Sequence, residues 1–177
     1  MFQRKDTVKI QIGDRVIGGG SPILVQSMTN TDTRNIADTV RQIRELADAG
    51  CDIVRVAVPD LEAADAVREI RRQISVPLVT DIHFDYRIAL RCIENGADKV
   101  RINPGNYVDK RNFSQRDTTE EEYRAAVQRM AERARPLFEI CKQHDTAIRL
   151  GINHGSLCDR IVTRYGNTPL AMVESAL

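Results

Sequence analysis

Short runs of branched aliphatic residues alternate along the chain with segments of helical periodicity. The runs are nearly continuous in Val, Ile and Leu, so they predict buried strands at 23–28, 52–58, 76–82, 98–103 and 147–152. Apolar positions three and four residues apart predict helices that begin near 36, 61, 85 and 119. A polar–apolar alternation around Gly13 predicts an N-terminal hairpin that plugs or caps the sheet.

Five strands, each followed by a helix, predict a parallel α/β sheet covered by helices. Two architectures fit this pattern. A doubly wound open sheet would be complete at 177 residues, whereas a TIM (β/α)₈-type barrel of typically about 250 residues would be represented by its hairpin and about five βα units. The first strand is not followed by a glycine-rich dinucleotide fingerprint, which weakens the doubly wound alternative.

Three of the predicted strands contain an arginine at a central position: Arg55, Arg101 and Arg149. An isolated buried charge is costly, so these guanidinium groups need an anion or a polar cavity. Within each strand the arginine alternates with the aliphatic positions that would pack on helices, which directs it to the opposite face. Only a barrel leaves that face free of helices, as a lumen, so the arginines favour an incomplete barrel.

Other polar residues follow the strands at their C-terminal ends, where barrels of this type carry active sites. The candidates are Asp81, His83, Asn103, Asn153, His154 and Ser156. His83 fits a general acid, a metal ligand or a structural histidine equally well, whereas the glycine and serine beside His154 favour a phosphate-binding turn. A purely structural alternative stays open, in which Arg55 pairs with Asp81 and Arg101 pairs with a neighbouring carboxylate.

Composition narrows the function classes. The net charge of +1 argues against a nucleic-acid binder, and no segment has the length and hydropathy of a signal peptide or a membrane span, so we expect a cytoplasmic protein. The four cysteines, at 51, 92, 141 and 158, contain no C-x-x-C pair. They are expected to be reduced thiols that bind no metal.

Several strings resemble the N-terminal half of the 4-hydroxy-3-methylbut-2-enyl diphosphate synthase family. They are VQSMTNTDT at 25–33, AGCDIVRVAVP at 49–59, PLVTDIHFDY at 77–86, VRINPGN at 100–106 and NHGSL at 153–157. The resemblance covers nearly the whole chain, in the same order. It implies that residues 1–177 are the N-terminal part of a substrate-binding TIM barrel, with the remaining barrel units and a C-terminal iron–sulfur domain outside this chain.

The resemblance also implies an activity in isoprenoid biosynthesis by the methylerythritol phosphate pathway. The family reductively opens and dehydrates 2-C-methyl-D-erythritol 2,4-cyclodiphosphate, using a [4Fe-4S] cluster and electrons from ferredoxin or flavodoxin. Arg55, Arg101 and Arg149 match its diphosphate-binding positions, with Asn103, Asn153 and His154 nearby. A homodimer is implied, as is a plastid stroma location if the source is a plant.

By itself the chain is expected to be inactive, because it lacks the cluster-binding cysteines of the family. Two alternatives stay open at this point. One is another phosphate- or pterin-binding barrel enzyme, since many functions share this architecture. The other is a non-catalytic assembly module that pairs through an open sheet edge.

Overall fold

The computed structural model describes residues 5–83, 85–103 and 119–177. An N-terminal hairpin contains the antiparallel strands β1 (Ile10–Ile12) and β2 (Arg15–Ile17). The main sheet contains β3 (Gln26–Met28), β4 (Ile53–Ala57), β5 (Leu78–Asp81), β6 (Lys99–Ile102) and β7 (Ala147–Leu150). The described α-helices are α1 (Ile36–Asp48), α2 (Leu61–Arg72), α3 (Tyr86–Glu94), α4 (Glu120–Gln143), α5 (Asp159–Tyr165) and α6 (Pro169–Ala176).

The five strands of the main sheet are parallel and lie side by side in their order along the chain, β3-β4-β5-β6-β7. A doubly wound sheet reverses its strand order at a switch point, whereas a barrel adds each new strand to the same edge. The observed order is therefore that of a barrel wall. Among the described residues the wall does not close, and β3 and β7 are its edges.

The face of the sheet that packs on the helices forms the main core. Val54, Val56, Val100 and Ile102 are almost fully buried there, together with the inner faces of α1 to α4. Burial of these aliphatic side chains is the main driving force for assembling the helices on this face, at about 25 cal/mol per Å² of apolar surface. The alternation inferred from the sequence is confirmed, because Arg55 and Arg101 occupy the intervening positions.

The hairpin closes the N-terminal end of the sheet. Ile12 is fully buried against Ile53 and Val79, the first residues of β4 and β5 that face away from the helices. The predicted plug is therefore confirmed, and the opposite, C-terminal end of the sheet stays free for a site.

The helix starts depend on side-chain caps. Asn35 accepts a hydrogen bond from the backbone N–H of Asp38, and Thr119 forms a reciprocal capping box with Glu122 at the start of α4. Within the described ranges, no helix combines the length and hydropathy needed to cross a bilayer.

Candidate anion-binding site

The strand register places the polar residues of the lumen face in two adjacent rows. The lower row runs across the sheet through Met28, Arg55, Val79, Lys99 and Ala147. The upper row, nearer the C-terminal ends of the strands, runs through Ala57, Asp81, Arg101 and Arg149. Three of the four cations of these rows are the arginines that the sequence singled out.

Asp81 lies at the centre of this arrangement and binds two of the arginines. Its Oδ2 is 3.1 Å from Nη2 of Arg55, and its Oδ1 is 3.1 Å from Nη1 of Arg101. The Asp81 side chain is only 3% exposed, against 25% for Arg55 and 12% for Arg101. The ion pairs of the structural alternative are therefore present, but one carboxylate serves both arginines.

The guanidinium of Arg101 also extends across the neighbouring strand end. Its Nη2 donates a hydrogen bond of 3.3 Å to the backbone carbonyl of Gly151, which follows β7. A Cβ atom at position 151 would lie 1.9 Å from Nε of Arg101, far inside van der Waals contact. Gly151 is thus the position that leaves room for the observed Arg101 rotamer.

A second group of polar side chains lies at the C-terminal ends of β6 and β7. The amide of Asn103 is buried and donates a 2.6 Å hydrogen bond to Oγ of Ser156, which in turn donates to the backbone carbonyl of Asn153. Residues His154–Ser156 form one turn of 3₁₀ helix. These contacts bring Asn103, Asn153 and Ser156 together at the C-terminal ends of the two strands.

The two histidines occupy different surroundings. Nε2 of His83 is 3.9 Å from Oδ2 of Asp81, so the imidazole lies beside the carboxylate that holds the two arginines. Nδ1 of His154 is 2.9 Å from Oδ1 of Asn167, in the segment before α6. This contact sets the orientation of the His154 ring, and Asn167 was not anticipated from the sequence.

Arg149 differs from the expectation of a buried residue. It is the register partner of Arg101, yet it is exposed, because β7 is an edge of the described sheet and nothing packs beyond it there. No ion pair or hydrogen bond joins its guanidinium to another residue of the described ranges.

Lys99 is the residue of the two rows that the sequence reasoning missed. It occupies the same face as Arg101 and Asn103, two and four positions earlier in alternation, and it is 8% exposed. The alternation of side chains within the strand, which places Lys99 on the same face as Arg101, was the sequence feature that could have identified it. A lysine at the start of a strand is usually solvated, which concealed its place in the lumen.

The cysteines do not form a metal site. Among the described residues, no three side chains of His, Cys, Asp or Glu are grouped so as to hold one metal ion, and none of the four cysteines forms a disulfide. Burial raises the pKa of Cys92 to about 12 and that of Cys141 to about 11, which disfavours the thiolate that an iron–sulfur cluster requires. The part of the chain that the structure describes therefore does not fit a [4Fe-4S] cluster.

The chain is similar in sequence to synthases from several bacteria. A 4-hydroxy-3-methylbut-2-en-1-yl diphosphate synthase (flavodoxin) from Caldanaerobacter subterraneus is 51% identical over 175 residues, which cover 98% of this chain and 43% of that protein. Proteins of the same name from Nitratidesulfovibrio vulgaris and Leptospira interrogans are 49% and 46% identical, over 99% of this chain and 40% and 27% of theirs. The chain thus spans less than half the length of these relatives.

The sequence also matches a domain family, and this match agrees with the barrel-wall order of the strands. The match is to the GcpE TIM-barrel domain and extends over residues 7–177, which includes the hairpin, all five strands of the main sheet and both groups of polar residues. The sequential parallel sheet is therefore part of a TIM barrel, and the chain belongs to the GcpE TIM-barrel domain family.

Proposed function

We propose that this chain is the diphosphate-binding part of a 4-hydroxy-3-methylbut-2-en-1-yl diphosphate synthase, acting in isoprenoid precursor biosynthesis. The observation that carries the proposal is an excess of positive charge on the lumen face. The single carboxylate of the two rows, Asp81, is shared by Arg55 and Arg101, while Arg149 has no counter-ion among the described residues. An anionic ligand supplies the missing negative charge.

The arrangement suits a cyclic diphosphate. Arg55 and Arg101 each offer guanidinium N–H groups that Asp81 does not occupy, and charge-assisted bonds of this kind to phosphate are strong. Asn103, Asn153, His154 and Ser156 provide further polar contacts at the mouth, and His83 lies beside Asp81. In this proposal all nine predicted residues, including Arg149, bind or orient 2-C-methyl-D-erythritol 2,4-cyclodiphosphate.

The cations also favour the reaction itself. Reductive opening of the cyclodiphosphate breaks a carbon–oxygen bond of the ring, consumes two electrons, and releases a hydroxyl group as water after a proton is taken up. The oxygen freed from the ring stays on phosphorus and carries additional negative charge. Preorganised arginines stabilise charge that develops in this way, so the two rows contribute to catalysis as well as to binding.

The electrons come from outside this chain. The names of the relatives specify flavodoxin, which we propose as the electron donor, with ferredoxin as the other donor of the family. Since the cysteines of this chain do not fit a [4Fe-4S] cluster, we assign the cluster to another part of the full-length protein. The homodimer and the cytoplasmic location remain predictions, as does the division into a barrel and a separate cluster domain.

Calorimetric titration of the full-length protein with the cyclodiphosphate tests the proposal. Arg55→Ala and Arg101→Ala should each weaken binding at least about tenfold, because each removes a charge-assisted contact. The matched control is Arg41→Ala, since the Arg41 side chain is 68% exposed on the outer surface of α1. Wild-type affinity in both lumen variants would contradict the proposal.

A further inference from the structure

Each of the two arginines that share Asp81 also donates to a neutral acceptor on its other side. Arg101 donates from Nη2 to the backbone carbonyl of Gly151, which is 3.3 Å away. Arg55 donates from Nε to the thioether sulfur of Met28, with 3.2 Å between the two atoms. These second acceptors come from the strands that flank the pair, β3 for Arg55 and the end of β7 for Arg101. A row of alternating acceptors and donors therefore crosses all five strands of the main sheet.

The place of Met28 in the fold is explained by this contact and not by core packing. Met28 is the last residue of β3 and the register partner of Arg55, so both side chains lie on the lumen face. The Met28 side chain is 36% exposed, and it belongs to none of the three apolar clusters formed by the described residues. Its specific interaction is the one with the Arg55 guanidinium.

A thioether suits this position chemically. Sulfur is a weak, uncharged acceptor, so it directs the Nε–H group of Arg55 and leaves the positive charge available for a ligand. A second carboxylate there would neutralise Arg55 and compete with an anion. With Nε bound by Met28 and Nη2 bound by Asp81, nothing among the described residues accepts a hydrogen bond from Nη1. The guanidinium is thus held from two sides, with donor capacity left for phosphate oxygens.

We propose that Met28 is a positioning residue that fixes the Arg55 guanidinium for binding of the diphosphate. The inference rests on the proposed function, because Arg55 is the group through which Met28 acts. A guanidinium that is held in place before the ligand arrives loses less conformational entropy on binding. Met28 corresponds in this role to the Gly151 carbonyl, which binds Arg101 from the opposite side of the cluster.

Met28→Leu tests the role because it keeps a similar apolar volume and removes the acceptor. In calorimetric titration of the full-length protein with the cyclodiphosphate, we expect affinity to fall about threefold, the effect of losing one neutral hydrogen bond. Met28→Gln supplies an amide oxygen as acceptor and should retain most of the wild-type affinity. The matched control is Met130→Leu in the helix layer, on α4, which should bind as the wild type does.

A double-mutant cycle and thermal unfolding distinguish positioning from a structural role. In an Arg55→Ala background, Met28→Leu should cause no further loss of affinity, because the group that it positions is absent. The melting temperature of ligand-free Met28→Leu should equal that of the wild type. An additive loss in the cycle, or a lower melting temperature together with a loss of affinity that Met28→Gln does not restore, would overturn the proposal.

The arginine variants keep this inference distinct from the proposed function. If Arg55→Ala weakens binding and Met28→Leu does not, the diphosphate site stands and the role of Met28 is wrong. If Arg55→Ala alone binds with wild-type affinity, Met28 has no ligand-binding group to position and the inference fails. If Arg55→Ala and Arg101→Ala both keep wild-type affinity, the proposed function fails together with the inference.

Discussion

Asp81 holds two arginines from the strands on either side of its own, Arg55 on β4 and Arg101 on β6. A carboxylate in this position fixes both guanidinium groups before a ligand arrives, so less conformational entropy is lost on binding. It also offsets part of the repulsion between the two cations. Asp81 is therefore a positioning residue, and its effect on a diphosphate is exerted through the arginines.

Asp81→Asn should destabilise the ligand-free protein, because it leaves two partly buried guanidinium groups without their counter-ion. Breaking a buried ion pair from one side typically costs about 3–5 kcal/mol of unfolding free energy, and we expect a loss near the lower value since both arginines retain some solvent contact. Urea denaturation measures the change. Asp14→Asn is the control, as Asp14 is 65% exposed, and equal stability of both variants would contradict the role of Asp81.

Gly151→Ala should displace the Arg101 guanidinium, because the added methyl group would lie 1.9 Å from Nε of Arg101. We expect the affinity for the cyclodiphosphate to fall about tenfold, as for the loss of one charge-assisted bond. A double-mutant cycle provides the control. In an Arg101→Ala background the glycine substitution should have no further effect on affinity, and an additive loss would show that Gly151 acts independently of Arg101.

The residues that could be predicted from the sequence were those governed by local alternation. Parity within a strand correctly assigned Arg55 and Arg101 to the face opposite Val54 and Val100. The sharing of Asp81 by both arginines depends on the register between three strands, which alternation within one strand does not contain. The role of Gly151 was hidden for the same reason, since it requires a side chain of β6 to cross the end of β7.

At the scale of elements, the helices pack on the sheet through buried thiol side chains as well as aliphatic ones. Cys92 of α3 and Cys141 of α4 lie in the main core, where they behave as small apolar side chains. Burial raises the pKa of both thiols, so the stability that comes from packing these helices depends on pH. Element boundaries were predicted to within a few residues, because caps such as Thr119 and the apolar period both act locally.

The free energy of unfolding should therefore decrease as the pH rises above about 9. The unfolded thiols ionise near pH 8.5, whereas those of the folded protein stay protonated to about pH 12 for Cys92 and pH 11 for Cys141. Stability from each thiol is complete below the unfolded pKa and decreases by about 1.4 kcal/mol per pH unit above it. Urea denaturation between pH 7 and pH 10 under reducing conditions measures this slope.

Cys92→Ala separates the thiol effect from other groups that titrate in the same range. This variant should show a shallower decrease of stability with pH, because one of the two thiols whose pKa is raised by folding is absent. Its stability at pH 7 will differ from that of the wild type through packing, so the slope is the diagnostic quantity. An unchanged slope would show that the thiols are not responsible.

At the scale of the whole molecule, the described sheet has two edges and an apolar surface beside one of them. Leu150 of β7 is 41% exposed, and Phe138 of the adjacent α4 is 50% exposed. Unpaired edges and contiguous apolar side chains promote association between chains. The barrel architecture was predictable from strand parity, whereas the extent of exposed surface at these edges required the structure.

The 177-residue chain, when prepared by itself, should accordingly associate as its concentration rises. Sedimentation velocity should show species heavier than the 20.0 kDa monomer, and Leu150→Lys should shift the distribution toward the monomer by placing a charge at the edge. Val8→Lys is the control, because Val8 is 83% exposed but lies outside the main sheet. A wild-type chain that stays monomeric at high concentration would contradict this prediction.

The cluster around Asp81 has a consequence for how the protein is made. Arg55, Asp81 and Arg101 come from three successive strands, so one continuous stretch of the chain contains the whole cluster. Closing the loops between neighbouring βα units costs less conformational entropy than closing a loop between distant parts of the chain. The arginine pair can therefore be assembled on the ribosome before β7 has emerged, and the remaining residues of the mouth join a site whose cationic centre already exists.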